Sequence, residues 1–126
     1  MRLLVCGSRD WSDQKLVNIV LLGFMGSYES LEIIEGEAPG ADSCARTFGE
    51  FHNLIVHKFP ADWAKNGRSA GPIRNQQMLD EASPAAVVAF KDGFNARKGK
   101  GGTEDMVRRS RDIGLPTIVI SHGDNI

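Results

Sequence analysis

The sequence predicts an α/β domain, a Rossmann-like three-layer sandwich around a five-stranded parallel sheet. Two patterns predict it: short continuous apolar runs recur along the chain, and segments with helical apolar spacing separate them. Continuous apolar runs are typical of strands that helices cover on both faces, and the alternation implies right-handed crossovers between parallel strands. Because no linker, repeat or low-complexity stretch breaks the pattern, we expect residues 1–126 to form a single domain.

Five apolar runs are predicted to be the strands. Each is short and is flanked by polar or turn-forming residues, which favours a strand over a buried helix. The runs are residues 3–6, 31–34, 54–56, 86–90 and 117–120.

Four intervening segments are predicted to be helices. Ser12 is expected to cap the first, and residues 41–51 form the second. Pro72 is expected at the first position of the third helix, where its missing N–H costs nothing. Thr103 is expected to cap the fourth, which Gly114 ends.

The composition is that of an ordinary globular domain, with 41% apolar and 25% charged residues. Because the formal net charge is −1, the protein as a whole does not attract nucleic acid electrostatically. No apolar run approaches the roughly 20 residues of a membrane span. The apolar run near the N-terminus is too short to be the apolar region of a signal peptide. Cys6 and Cys44 are expected to be buried thiols in a reducing compartment, so we expect a cytoplasmic protein. The three histidines have no metal-ligand spacing, and we expect neither metal nor cofactor.

The turns that follow the strands carry the candidate binding residues. Ligands of open parallel sheets bind beyond the carboxyl ends of the strands, where the strand order reverses. These turns hold much of the glycine and both tryptophans. The candidate ligand-binding residues are Gly7, Ser8, Arg9, Trp11, Gly36, Ala38, Pro39, Gly40, Asp62, Trp63, Asn75, Gly101, Gly102 and Thr103.

The chemistry of these turns suits a phosphorylated ligand. Glycines let the backbone approach the ligand, and free N–H groups at helix N-termini favour phosphate. Arg9 and Arg74 can form paired hydrogen bonds to phosphate or carboxylate, and Trp11 and Trp63 can stack on a base. The candidate catalytic residues are Arg74, Asp42, Asp105 and Glu35.

Structural alternatives to these roles stay open at this point. Thr103 fits a plain helix cap, Asp42 a first-turn residue favoured by the helix dipole, and Trp63 a half-buried surface anchor. A lysine-rich segment fits either a solvated loop or a flap that closes over phosphate. Its basic residues are Lys91, Arg97, Lys98 and Lys100.

Five motifs follow one another along the chain: residues 7–11 (GSRDW), 36–42 (GEAPGAD), 59–63 (FPADW), 70–75 (AGPIRN) and 102–106 (GTEDM). Taken in this order, they resemble the SLOG superfamily, and most closely its YspA-like (cpYpsA-related) branch, which occurs in phages and bacteria. The resemblance implies a Rossmann-like fold, a nucleotide-related ligand and a homo-oligomer.

Two better-understood relatives differ in what they imply. Lonely-guy-type phosphoribohydrolases cleave a base from a nucleoside monophosphate. Their glycine- and threonine-containing motif is similar to residues 100–103, and their catalytic arginine carries over to Arg74. Their glutamate, three residues after the threonine, is replaced here by Met106. The DNA-processing protein A family, which binds single-stranded DNA, has turns similar to residues 7–9 and 40–42.

Three functions follow from these observations. The first is a binding module, a sensor or sequestering protein for a nucleotide or an ADP-ribose-type signal, which needs no catalytic acid. The second is a hydrolase of the N-glycosidic bond of nucleoside monophosphates, with an acid acting beside Arg74. The third is single-stranded nucleic-acid binding through stacked tryptophans and basic residues, which the net charge disfavours.

Overall fold

A computed structural model of the chain describes residues 1–28, 30–97 and 101–123. Within these ranges strands and helices alternate along the whole length, as the sequence pattern predicts. The strands are β1 Arg2–Gly7, β2 Glu32–Glu35, β3 Val56–Lys58, β4 Ala86–Phe90 and β5 Thr117–Ile120. The helices are α1 Gln14–Ser27, α2 Ala41–Phe51, α3 Trp63–Asn66, α4 Ala70–Ala82 and α5 Gly102–Asp112, with a 3₁₀ turn at Gly67–Ser69.

The strands form one parallel sheet in the order β3-β2-β1-β4-β5. The chain builds one half of the sheet from β1 outward to β3, then crosses to the other side of β1 and adds β4 and β5. The predicted Rossmann-like α/β fold is therefore confirmed. The strand order reverses between β1 and β4, so the crevice for a ligand lies beyond the ends of these two strands.

Two apolar layers cover the two faces of the sheet. Alternate residues of β1 face opposite sides, with Leu3 packed in one layer and Leu4 in the other. The first layer includes Leu21 of α1 and Phe48 of α2. The second layer is completed by α4 and α5, which place Met78, Leu79, Met106 and Val107 against the sheet. The central strands are thus buried on both faces, which explains their continuous apolar sequences.

The sequence-based helix starts are wrong by one or two residues. Asp13, and not Ser12, caps α1, because its carboxylate accepts a hydrogen bond from the backbone N–H of Leu16 at 3.0 Å. Helix α4 begins at Ala70, so Pro72 lies inside the first turn, where an N–H has no helical partner. The cap of α5 is Gly101 with a φ of 120°, a conformation unfavourable for threonine, and Thr103 lies within the helix.

The third strand is also displaced from its prediction. The backbone N–H of Leu54 bonds back to the carbonyl of Gly49 at 2.8 Å, which closes the turn after α2. Strand β3 therefore begins only at Val56. The short helix α3, which begins at Trp63, was not predicted, because four residues carry too little periodicity to register.

Cys6 and Cys44 are buried free thiols, as the sequence predicts. None of the helices in the described ranges combines the length and the apolar character needed to cross a bilayer.

Phe48 and Phe51 provide a matched test of the core. They lie three residues apart on α2, but Phe48 is 2% exposed and Phe51 is 80% exposed. We expect Phe48→Ala to lower the free energy of unfolding by about 3–5 kcal/mol, because removal of a buried ring leaves a cavity in the core. Phe51→Ala should change it by less than about 0.5 kcal/mol. Urea unfolding measures both, and equal losses would contradict the core described.

Candidate functional site

A cavity of about 250 Å³ lies beyond the ends of β1 and β4, at the position where the strand order reverses. Its lining comes from the end of β1, from the loops after β1, β2 and β4, from the starts of α2 and α5, and from α4. Its lining residues are Cys6, Gly7, Ser8, Arg9, Ala38, Asp42, Arg74, Asn75, Met78, Lys91, Gly102 and Thr103.

The cavity brings together many of the residues selected from the sequence. Those that line it are Gly7, Ser8, Arg9, Ala38, Asp42, Arg74, Asn75, Gly102 and Thr103. Sequence reasoning missed Cys6 and Met78, and it named Lys91 only as part of the lysine-rich segment. Cys6 is the penultimate residue of β1 and Met78 lies one helical turn after Arg74, so their positions next to selected residues could have indicated them.

Arg74 is held in place at the cavity wall by three hydrogen bonds. Its Nη1 donates to the carbonyl oxygen of Gly36 at 2.5 Å and to that of Phe59 at 3.4 Å, and its Nε donates to Oδ1 of Asn75 at 3.2 Å. A Cβ at position 36 would collide with the guanidinium, so a larger residue there would displace the side chain of Arg74 from this position. The remaining nitrogen, Nη2, donates to no described residue and is available to a ligand.

Asp42 connects the cavity to the loop that follows β2. One carboxylate oxygen, Oδ2, accepts hydrogen bonds from the backbone N–H of Gly36 at 3.0 Å and of Ala38 at 3.2 Å. The side chain is almost fully buried, and burial raises its pKa, although the two N–H groups and Arg74 oppose the rise. Oδ1 accepts no hydrogen bond from the described residues. Asp42 thus shapes the loop with one oxygen and leaves the other for a ligand or a proton.

Two helix N-termini at the cavity have no side-chain cap. Gly40 precedes α2 and Gly101 precedes α5, and neither offers a side chain to the free N–H groups. Gly40 has a φ of 81°, and a Cβ there would collide with the backbone of Ser8 and Arg9, so the two loops pack at van der Waals distance. Uncapped N-termini present partial positive charge, which favours an anion in the cavity.

The other two candidate acids lie elsewhere. Glu35 is fully buried beside α2, where Oε1 accepts a hydrogen bond from the backbone N–H of Glu37 at 2.5 Å and Oε2 lies 3.7 Å from Arg46. Asp105 accepts hydrogen bonds from Asn75 at 3.0 Å and from Arg109 at 2.8 Å. Neither residue lines the cavity. Asp105 acts instead to position Asn75, whose amide also donates to the carbonyl of Gly102.

The two tryptophans that were predicted to stack on a base differ in their exposure. Trp11 is 5% exposed, belongs to the apolar core, and stacks against the ring of His122 at 4.7 Å between centroids. Trp63 is half exposed, and the guanidinium of Arg9 lies 5.5 Å from its ring centroid. Asp62 caps α3 through the backbone N–H of Lys65 at 3.1 Å and does not line the cavity.

Lys91 is the one residue of the predicted basic flap that lines the cavity among those described. Its ammonium group lies 2.9 Å from Oε1 of the buried Glu104. Burial opposes ionisation of Glu104, but its hydrogen bonds outweigh burial and hold its pKa below the usual value. The hydrogen bond from Lys91 lowers the pKa more than the others do. Arg97 is exposed, and Lys98, Gly99 and Lys100 lie outside the described residues.

The remaining loop residues support the cavity rather than line it. Gly36, Pro39 and Gly40 belong to the segment that carries Ala38 to the wall. No group of three histidine, cysteine, aspartate or glutamate side chains within the described ranges could hold a metal ion. The basic groups at the cavity are Arg9, Arg74 and Lys91, and its acid is Asp42, so the site is suited to a small anionic molecule.

A Rossmann-like sheet with a polar crevice at its reversal point defines a class of small-molecule-binding α/β domains. The chain belongs to the YspA, cpYpsA-related SLOG family, whose family model matches residues 1–66. It is also 32% identical to the gene 61 protein of Mycobacterium phage D29 over 129 residues, which covers 98% of this chain and 97% of that protein. Membership of this family points to binding or processing of a nucleotide-related ligand.

Glu35 predicts a specific dependence of stability on pH. Burial raises its pKa to about 7, against a usual value of 4.5, although the N–H of Glu37 and Arg46 oppose the rise. A carboxyl with a higher pKa in the folded state stabilises the fold fully below about pH 4.5 and loses that contribution as the pH rises through about 7. The wild type should therefore lose on the order of 3 kcal/mol relative to Glu35→Gln between these values.

Urea unfolding at several pH values measures this difference. Glu50→Gln is the matched control, since Glu50 is exposed on α2 and the replacement makes the same chemical change outside the core. Parallel pH profiles for the wild type and Glu35→Gln would show that Glu35 titrates as an ordinary surface carboxyl.

Proposed function

We propose that this protein binds a nucleotide or nucleotide-derived ligand with a phosphate group seated in the cavity at the end of β1. The observation that carries the proposal is the fixed guanidinium of Arg74, which the carbonyl of Gly36 and the amide of Asn75 orient while Nη2 stays available. A guanidinium held in this way loses little conformational entropy when it binds an anion.

The surroundings of Arg74 support a phosphate in particular. Arg9 and Lys91 line the same cavity, and the uncapped start of α5 brings Gly102 and Thr103 to its wall. Backbone N–H groups at a helix N-terminus, combined with arginine and lysine, are a common phosphate-binding arrangement. The hydroxyl of Thr103 adds a hydrogen-bond donor at the same place.

Retention of the ligand, as in a sensor or sequestering protein, is the form of this function that the geometry favours. In the phosphoribohydrolases that the sequence resembles, the glutamate lies three residues after the threonine. The corresponding Met106 is fully buried in the apolar layer beneath α5, so its position does not face a ligand. Asp105, the neighbouring acid, already accepts hydrogen bonds from Asn75 and two arginines. An ADP-ribose-type signalling molecule is one ligand that such a protein would bind.

Hydrolysis of an N-glycosidic bond is the second candidate, and Asp42 favours it. Its carboxyl lines the cavity, one oxygen accepts no hydrogen bond from the described residues, and burial raises its pKa. A carboxyl of this kind suits general acid–base catalysis on a ribose. In that reaction Arg74 would hold the phosphate while Asp42 acts at the sugar.

Binding of single-stranded nucleic acid has less support. Trp11 is buried and one of its faces is covered by His122, so it offers no open surface for a base. The net charge of −1 also gives no general attraction to a phosphate backbone. A homo-oligomer and a cytoplasmic location follow from the family resemblance and the composition, and both stay predictions.

Arg74→Ala tests the phosphate site. We expect it to weaken binding of adenosine 5′-monophosphate and of inorganic phosphate by about tenfold or more, because a hydrogen-bonded charge pair is lost. Arg68→Ala is the matched control, since Arg68 is exposed on the 3₁₀ turn and lies outside the cavity lining. Titration calorimetry provides the affinities. Equal affinities for Arg74→Ala and the control would rule out the proposed site.

Asp42→Asn separates binding from turnover. If the protein only binds, nucleoside monophosphates are recovered intact from the wild type, as chromatography of the incubated mixtures would show. If it hydrolyses them, the wild type releases free base and Asp42→Asn releases at least about a hundredfold less, as expected for loss of a general acid–base group. Release of base at the same rate by both proteins would exclude Asp42 as that group.

A further inference from the structure

A second cavity, of about 300 Å³, lies next to the first. It shares the side chains of Ser8 and Lys91 with the first cavity, so the two are neighbouring parts of one groove along the rim of the sheet. Nothing in the proposed function occupies it. Its lining residues are Ser8, Asp10, Trp11, Ser12, Lys91, Asp92 and His122.

The two cavities differ in chemical character. The first contains Arg9, Arg74 and Asp42, the second contains Asp10, Asp92 and His122, and Lys91 lines both. Asp10 accepts a hydrogen bond from the hydroxyl of Ser8 through Oδ1, and Oδ2 accepts none from the described residues. Arg9 and Arg74 therefore offer hydrogen-bond donors to an anion at one end of the groove, and Asp10 offers an acceptor to a neutral hydroxyl group at the other.

His122 fixes one wall of the second cavity. Its Nδ1 lies 2.8 Å from Oδ2 of Asp92, its Nε2 lies 2.7 Å from Oδ2 of Asp13, and its backbone N–H donates to Oδ1 of Asp92 at 2.7 Å. The ring also stacks on Trp11 with an interplanar angle of 10°. The wall is thus tied to α1, to the loop after β4 and to the core, and it needs little rearrangement to receive a ligand.

The sizes of the two cavities fit a ligand that spans both. Binding sites for small molecules usually measure about 300–1,000 Å³, and each cavity alone lies at or below the lower end of this range. A phosphate group fills only a small part of such a space. The remainder of a nucleotide therefore has to extend from the first cavity, and the shared Ser8 and Lys91 mark the direction of the second.

We propose that the second cavity binds the sugar of the same ligand through its hydroxyl groups, with Asp10 as an acceptor, and makes the protein selective for ribonucleotides over 2′-deoxyribonucleotides. The inference rests on the proposed function, since it needs the phosphate in the first cavity. A carboxylate that accepts a hydrogen bond from a ribose hydroxyl group is a general means of recognising this sugar. A further phosphate is less favoured here than in the first cavity, because Asp10 offers only acceptors, while Lys91 already pairs with Glu104 and His122 with Asp92 and Asp13.

Titration calorimetry with the four common ribonucleoside 5′-monophosphates and their 2′-deoxy counterparts tests selectivity, with inorganic phosphate as the probe of the first cavity alone. For the base that binds best, the 2′-deoxy form should bind about tenfold more weakly, since the carboxylate then lacks its donor. Equal affinities for the ribo and 2′-deoxy forms would overturn the sugar site and leave the phosphate site standing. Absence of binding by every nucleotide and by phosphate would overturn both.

Asp10→Ala tests whether the selectivity comes from the second cavity. It should reduce the ratio of ribo to 2′-deoxy affinity to near unity while inorganic phosphate binds at least as tightly as to the wild type. Asp112→Ala is the matched control, because Asp112 is exposed at the far end of α5 and its replacement removes the same charge. A ratio in Asp10→Ala equal to that in the control would overturn the assignment of the sugar to this cavity.

Discussion

The crossing of the chain from β3 to β4 is the constraint on which the site depends. It places β4 against β1 on the side opposite β2, so the loops after β1 and β4 diverge to opposite faces of the sheet and leave a crevice between them. Helix α4, which is part of the crossing, carries Arg74 and Asn75 to that crevice. The same topology buries the central strands on both faces, so the fold and the position of the site have one cause.

The shape of the crevice depends on two glycines that let other groups come close to the backbone. Gly36 leaves room for the guanidinium of Arg74, and Gly40 lets the loops after β1 and β2 touch. Asp42 ties the second of these loops down through two backbone N–H groups. The polar groups of the site are therefore fixed by one another before any ligand arrives, which reduces the entropy lost on binding.

Much of the fold was predictable, because continuous apolar strands and periodic helices are strong local signals, whereas exact helix starts depend on which side chain reaches a free N–H. For that reason Asp13, and not Ser12, caps α1. Turn composition located the crevice, but it could not distinguish residues that face the cavity from those that hold the walls. Glu35 and Asp105 carry suitable chemistry, and only the packing against α2 and α4 shows that they face elsewhere. The role of His122 depends on contacts distant in sequence, which no local pattern reveals.

Amide chemical-shift mapping by nuclear magnetic resonance tests the central claim most directly. On titration with a nucleoside 5′-monophosphate, the largest changes should fall on the amides of Ser8, Ala38, Gly102 and Thr103, which follow three different strands along the chain and come together at the cavity. Absence of any change, or changes concentrated on the exposed faces of α1 and α2, would contradict a nucleotide site at the point where the strand order reverses.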